Sequence, residues 1–386
     1  MTRTPTVAEV QAVLEATYDP RRAEEWDAVG LVAGDPNATV HKILLAVDPT
    51  DAVIEEAVAT DVDLLVTHHP LLLRPVNSVA ATTPKGRAVH KLIVNKVALL
   101  TAHTNADAPP GGVSEAMAHA LGIEDPKPIA AQPADPTDKL VTFVPRADAA
   151  RVIDALAAAG AGDIGAYERC AYTSDGTGTF RPTTGADPAI GEVGTIEEVS
   201  ETRVEMVVPR ARRSAVVEAL RAAHPYEEAA FDVYELAAGP SDSGSGRIGR
   251  LTEPTTLRAF ADAVVAALPT THSVARVAGD PDQPIHTVAL CGGSGDFLLD
   301  QVRASDADVY VTSDLRHHPA SELSEHGAPA LIDVPHWAAE WTWLPVVERL
   351  LTAALAAEAI TVETRVSTIV TDPWTTHVPM SRGAPR

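Results

Sequence analysis

The sequence predicts an α/β protein: two related three-layer α/β halves forming one discontinuous core, with an inserted ferredoxin-like α+β domain. Two internal repeats carry that prediction. Residues 40–67 align without gaps against residues 285–312, matching His41 to His286, Leu45 to Leu290, Asp63 to Asp308 and Thr67 to Thr312. Each copy reads as an apolar strand, a turn, a helix of about a dozen residues and a second apolar strand, which makes a βαβ unit with parallel strands. Between these copies, residues 144–156 (VPRADAARVIDAL) align with residues 208–220 (VPRARRSAVVEAL), again without gaps.

Taken in order, residues 1–16 read as an amphipathic helix rather than the apolar core of a signal peptide. The first βαβ unit is followed by a further helix and a third strand at 98–103. The Pro- and Asp-rich run at 126–138 marks the near boundary of the insert. Two βαβ-like copies in about a hundred residues make the insert ferredoxin-like, its second copy ending in the turn and strand of HPYEEAAFDVYEL. The run at 238–246 (AGPSDSGSG) has linker composition. The second half then repeats the plan, with a third strand at 328–333 and a helix that opens at His336 and runs through 344–355. The predicted domains are therefore 1–137, 138–237 and 247–386.

Composition narrows the function classes. Apolar residues make up 45% and charged residues 22% of 386, which is ordinary for a globular chain. The balance of 30 basic against 53 acidic residues, a net of −23, repels phosphate backbones and anionic membranes. Nucleic-acid and membrane partners are disfavoured. Cys170 and Cys291 stand far apart with no CxxC pair, which excludes a disulfide framework and a thiolate zinc site. No apolar run reaches the roughly 18 residues of a membrane span. A cytoplasmic protein is expected.

The polar clusters fall where core strands end, the place where open α/β sheets bind ligands. His68 and His69, in VTHHP, can diverge at the turn toward two metals, or merely cap the strand. Asp107, in HTNAD, can ligate a metal, orient a ligand imidazole or organise the turn. His336 and Glu340 are four apart and share a helical face. A helix-start Glu favoured by the macrodipole beside an incidental His is the plainer account of that pair. The coincidence of His68, His69, Asp107, His336 and Glu340 is what points to metal. Two ions sharing five protein ligands leave positions for water, as a catalytic centre requires.

Weaker features surround them. The run CGGSG at 291–295 could cradle an anion but reads better as a tight turn, lacking the Lys-Ser/Thr of a P-loop. His103, Ser294, Asp314 and His318 are candidate substrate contacts; the stretch holding Asp314 and His318 reads equally as a solvated loop. His224 in HPYEE reads as a structural turn.

These residues resemble the NIF-three-like family of dinuclear-metal-centre proteins, labelled GTP cyclohydrolase I type 2 homologues. The resemblance spans nearly the whole chain, through WDAVGL at 26–31, VTHHP at 66–70, AHTNADAPPGG at 102–112, CGGSG, VTSDLRHH at 311–318 and the His336/Glu340 helix start. The insert resembles the CutA- or PII-like domain of longer bacterial members. The resemblance implies two divalent ions (Zn, Mn, Fe or Co) bridged by Glu340, with His68 and Asp107 leaning to one and His69 and His336 to the other. It also implies a toroidal homohexamer. Ala28, Pro335 and Ser313 depart from the residues usual in that family; all five expected ligands are intact, and Ala28 and Ser313 fall near the expected substrate contacts.

The expected function is that of a metal-dependent hydrolase acting on a small nucleotide-like or phosphorylated substrate, with a metal-bridging water as nucleophile and Glu340 as the bridge that helps activate it. The family label implies opening of the GTP purine ring. The alternative is a non-catalytic metal-handling or regulatory ring.

Overall fold

The computed structural model describes residues 3–327 and 329–378. The chain divides into two compact units, residues 1–132 with 242–386 and residues 133–241.

The larger unit holds two sheets. In the first, the strands run in the order Gly30–Ala33, Ala98–Thr101, Leu64–Thr67, Lys42–Ala46, Glu363–Val366. All pair in parallel except Gly30–Ala33, an antiparallel edge. The second sheet centres on the parallel strands Ala330–Asp333, Val309–Ser313 and Pro284–Ser294. Antiparallel strands Arg276–Ala278, Arg247–Thr256 and Ile123–Lys127 complete it. Residue 328, placed in the last core strand by sequence, lies outside the described residues, as do residues 1 and 2 of the first helix.

Strand alternation sorts the side chains into layers. Ile43, Leu45, Leu64, Val66 and Leu100 join Leu290, Val309, Val311 and Ile332 in one core drawn from both halves. Leu44, Ala46, Leu65 and Leu99 face the other way, onto helices Asp51–Ala59 and Pro84–Val94. Ala289, Tyr310 and Leu331 do the same in the second half, toward helices Leu299–Ala304 and His317–Glu325. The first helix, Val7–Thr17, starts at a capping box between Thr6 and Glu9 and buries Val7, Val10, Val13 and Leu14.

The repeat has a physical reason. Asp63 Oδ2 accepts from the backbone N–H groups of His41 and Lys42, at 2.6 and 3.0 Å. Asp308 Oδ2 does the same for His286 and Thr287, at 2.8 and 2.7 Å. In each half, one aspartate before the second strand clamps the start of the first.

Two expectations need correction. The run at 238–246 is not a free linker: Pro240–Ser245 is a strand paired with Ala130–Pro133 in a two-stranded sheet. Its glycine is there for close approach, because a Cβ on Gly244 would sit 2.3 Å from Ala130 O. The helix predicted to continue from His336 is two helices, His336–Trp341 and Leu344–Ala357. Pro345 in the first turn of the second helix suits a fresh start and not a continuation.

The smaller unit has the order β-α-β-β-α-β. Its antiparallel sheet runs Phe231–Glu235, Thr137–Pro145, Glu197–Pro209, Ala171–Phe180. Helices Ala149–Ala158 and Arg213–Ala223 cover one face, packing Val152, Leu156, Val216 and Leu220 onto Leu140, Val204, Met206 and Val208.

Candidate metal centre

Neighbouring side chains on a strand point apart, yet His68 and His69 converge because the strand has ended. The His68 and His69 N–H groups donate to Ala46 O and Val47 O at 3.1 and 2.8 Å, and Thr67 Oγ1 donates back to His69 O at 2.9 Å. That bend brings the two rings to 5.0 Å. His103 precedes the short helix Thr104–Asp107 at the end of the next strand, its ring 5.1 Å from His68 and 5.4 Å from His69. From the second half, helix His336–Trp341 brings His336 and Glu340 one turn apart, with Nε2 to Oε1 at 2.7 Å.

Glu340 is the hub. It is 4% exposed. Its Oε1 also lies 3.5 Å from His68 Nε2, and its Oε2 lies 3.0 Å from His69 Nε2. Asp107 Oδ1 is 3.6 Å from His68 Nε2. Donor atoms of His68, His69 and His103 lie within 4.8 Å of one another, as do those of His69, His336 and Glu340. These five residues could hold metal.

Every imidazole is oriented from behind. Nδ1 of His68 bonds Ala102 O at 3.0 Å, and Nδ1 of His69 bonds Asp48 at 2.7 Å. Nδ1 of His103 bonds Asp27 at 2.8 Å, and Nδ1 of His336 bonds Asp314 at 2.6 Å. Because a carbonyl only accepts, His68 carries its proton on Nδ1 and aims a bare lone pair from Nε2. That Nε2 is buried, faces two carboxylates and has no hydrogen-bond partner; Glu340 Oε2 is likewise buried with none well aligned. Facing lone pairs in a buried pocket call for a cation, and imidazole with carboxylate suits a divalent transition metal.

Protons hold the cluster together in the metal-free protein. Burial opposes a charge on His69, but the Glu340 carboxylate and the Asp48 hydrogen bond outweigh it and raise the ring to about 11. The same balance, with Asp314 in place of Asp48, raises His336 to about 10. Burial and then the Glu340 charge push Asp107 up to about 7. Burial would raise Glu340 too, but the charges on His69 and His336 hold it well below the usual range. Stability from the raised histidines is fully present below their unfolded value of 6.5 and is lost as pH rises through about 10 to 11. Metal and proton compete for the same Nε2 atoms, so metal affinity is expected to climb steeply from pH 6 to 8. Calorimetry in buffers of different ionisation heat should show about two protons released per chain. Release of none would contradict this account.

Asp314 holds its backbone at φ +57°, which asparagine tolerates better than most residues. Asp314→Asn is therefore expected to keep the fold but lower zinc affinity about 10- to 100-fold, because His336 loses its charged support. Chelator competition measures this.

The floor and rim are built by packing. Trp343 is fully buried, its ring 5.4 Å from His68, and its Nε1 donates to Tyr18 at 3.0 Å. Gly293 leans on the hub: with φ +70°, an added Cβ would meet Glu340 Oε1 at 2.6 Å. The CGGSG run is thus a tight turn against Glu340, and burial lifts the Cys291 thiol to about 12, so it stays protonated. Beside His69 and His336 opens a cavity of about 760 Å³, also lined by Arg276, Trp337, Trp374 and His272. Its carboxylates are committed: Asp48 to His69 and Thr371, Asp314 to His336, Asp333 to Arg276, and Asp372 to Ser273.

Of the predicted ligands, His68, His69, His336 and Glu340 meet directly, and Asp107 borders them. His103, expected as a substrate contact, instead turns its ring into the donor cluster. Asp314, also expected at the substrate, is spent on His336. Ser294 is exposed at its strand end, and His318 is exposed with its ring against His317, at 5.2 Å. Neither belongs to the donor groups. The sequence alone assigns no role to Asp27, within WDAVGL, or to Asp48, and the structure makes both of them imidazole supports. A usable signal existed for Asp48, which follows the first core strand as the His pair follows the second.

Residues 5–373 match the family described as Duf34/NIF3 (NGG1p interacting factor 3). A Mycobacterium tuberculosis protein named "GTP cyclohydrolase 1 type 2 homolog" is 50% identical over 373 residues, covering 95% of this chain and 96% of that one. A Bacillus subtilis protein of the same name is 37% identical, over 92% and 94%. A crystal structure of a Bacillus cereus protein related to NIF3 superposes with a TM-score of 0.83 at 35% identity, covering 97% of this chain and all of that one. A Staphylococcus aureus structure reaches 0.83 at 29% identity, over 97% and 99%. The chain, with its paired α/β halves and its His/Glu cluster, belongs to the DUF34/NIF3 family.

Proposed function

We propose that the protein is a dinuclear-metal hydrolase acting on a small nucleotide-like or phosphorylated substrate. The convergence of three imidazoles on one buried carboxylate, with the ring of His103 beside two of them, carries this reading. His68, His69, Asp107, His336 and Glu340 would hold two divalent cations, with Glu340 bridging, and the ring of His103 would complete the cluster or face the substrate. When bound, such a pair supplies an acidified water and positive charge for a developing oxyanion. The residues do the rest. Asp27, Asp48 and Asp314 fix the imidazole tautomers, and Glu340, held ionised, keeps the donors at one point. Trp343 and Tyr18 keep bulk water from the floor of the site.

The adjoining cavity supports the substrate class. With its carboxylates committed, the polar groups left include the ring nitrogens of His272, Nε2 of His377 and Nη1 of Arg276, whose Nε and Nη2 are held by Asp333 and Leu315 O, beside the exposed Trp374. Nitrogen donors next to an aromatic face suit an anionic group joined to a planar ring. The printed name of the mycobacterial and Bacillus relatives makes GTP a first candidate.

The test is turnover of nucleoside triphosphates and p-nitrophenyl phosphate by protein reconstituted with zinc, manganese or iron. Activity lost in Glu340→Gln with assembly unchanged would support the hydrolase. Bound metal with no turnover on the panel would favour the metal-handling ring instead. The proposal extends to a cytoplasmic homohexamer, which light scattering and cell fractionation would check.

A further inference from the structure

The sheet of the smaller unit has one face without helices. Val204, Met206 and Val208 point into the helix-covered core, so the alternate residues Arg203 and Glu205 point the other way, with Phe143 beside them. One end of this open face is roofed by the segment 181–190 and by the turn at Tyr226, enclosing a cavity of about 680 Å³. That size falls within the usual range of small-ligand sites.

Glu201 is the unusual group in its lining. The residue is only 8% exposed. The Tyr226 hydroxyl donates to its Oε1 at 2.8 Å. Among the described residues nothing donates to Oε2, and no cation is paired with this carboxylate. A buried carboxylate with one unanswered oxygen in a cavity wall calls for a donor, preferably a charged one. The other acids of the lining differ: Asp175 is bound to Thr202 and Arg146, Glu227 accepts from Asp187 N, and Glu228 is exposed.

Aromatic rings stand beside it. Phe180 packs edge-on against Tyr226 at 5.6 Å, and Pro182, Pro188 and Ile190 supply apolar surface. Carboxylate plus ring faces is the lining that holds an organic ammonium. The nearby basic groups do not fill that role. Arg203 is drawn to Glu205 at 2.8 Å and lies over the Phe143 ring, while Arg181 is exposed. His224 donates from Nε2 to Phe143 O and accepts from Tyr226 N, which makes the Tyr226 turn rigid rather than reactive.

We infer that this cavity binds a small organic ammonium with an apolar body, its charge on Glu201 and its body against Phe180 and Ile190. The inference does not depend on the metal centre or on any hydrolase activity. The −23 net charge favours the approach of such a cation.

Titration calorimetry on the full-length, metal-loaded protein tests it with two probes of one shape and opposite charge, 2-phenylethylammonium and 3-phenylpropanoate. The expected result is saturable binding of the amine with a Kd of about a millimolar or tighter, and binding of the acid at least about tenfold weaker. Glu201→Gln keeps the Tyr226 hydrogen bond and is expected to weaken the amine about tenfold or more. Ile190→Trp, which fills the apolar end, is expected to abolish binding with the melting temperature unchanged. Equal binding of both probes, no saturation by the amine up to about 10 mM, or binding unaltered in both variants would overturn the inference.

Discussion

Glu340→Ala is expected to strip the protein of metal, from about two ions per chain to under a tenth of one, as measured by plasma mass spectrometry. The size of the effect follows from position. One carboxylate lies 2.7 Å from His336, 3.0 Å from His69 and 3.5 Å from His68, so its loss removes the group that joins the halves of the cluster. The remaining histidines, no longer offset by a buried negative charge, would also repel a cation more strongly when protonated. His336→Ala should lower the content as well, with the assembly state unchanged. Less than a tenth of an ion in the wild-type protein, after reconstitution with zinc, manganese and iron, would end both the metal centre and the hydrolase reading.

Trp343→Ala is expected to destabilise the larger unit by about 3–5 kcal/mol, among the largest costs a single truncation can carry. The indole is fully buried between Tyr18, at 5.6 Å, and His68, at 5.4 Å. Its removal leaves a cavity and takes the hydrogen bond from the Tyr18 hydroxyl, which itself donates to Gly111 O. Thermal unfolding of the metal-free protein gives the packing cost alone. A metal-loaded sample should show a further loss, because His68 is then free to tilt. A shift below about 1 kcal/mol would mean that the site collapses around the gap.

The core was legible because its strands are near-continuous apolar runs recurring at a fixed offset, with Asp63 and Asp308 marking the same clamp twice. The strand Pro240–Ser245 was not, because its pairing rests on backbone groups and on the room that Gly244 leaves, which composition hides. His68, His69, His336 and Glu340 were legible as strand-end and helix-start residues. The roles of Asp27 and Asp48 were harder to read, since they meet their histidines across 76 and 21 positions of chain, and only the strand-end position of Asp48 hints at its part. The role of His103 depends on which way Asp27 turns its ring, and only the folded backbone decides that.

The donor set straddles the smaller unit: His68, His69 and His103 precede residue 133, while His336 and Glu340 follow residue 241. During synthesis the ribosome releases the first three histidines long before the hub carboxylate emerges. A nascent chain therefore carries loose imidazoles, and not a finished site, through most of translation. The common core has the same history, since Leu45 and Val66 wait for Leu290 and Val311. Tight loading of any metal at this cluster would thus be a late event, reserved for chains that have closed their two halves together.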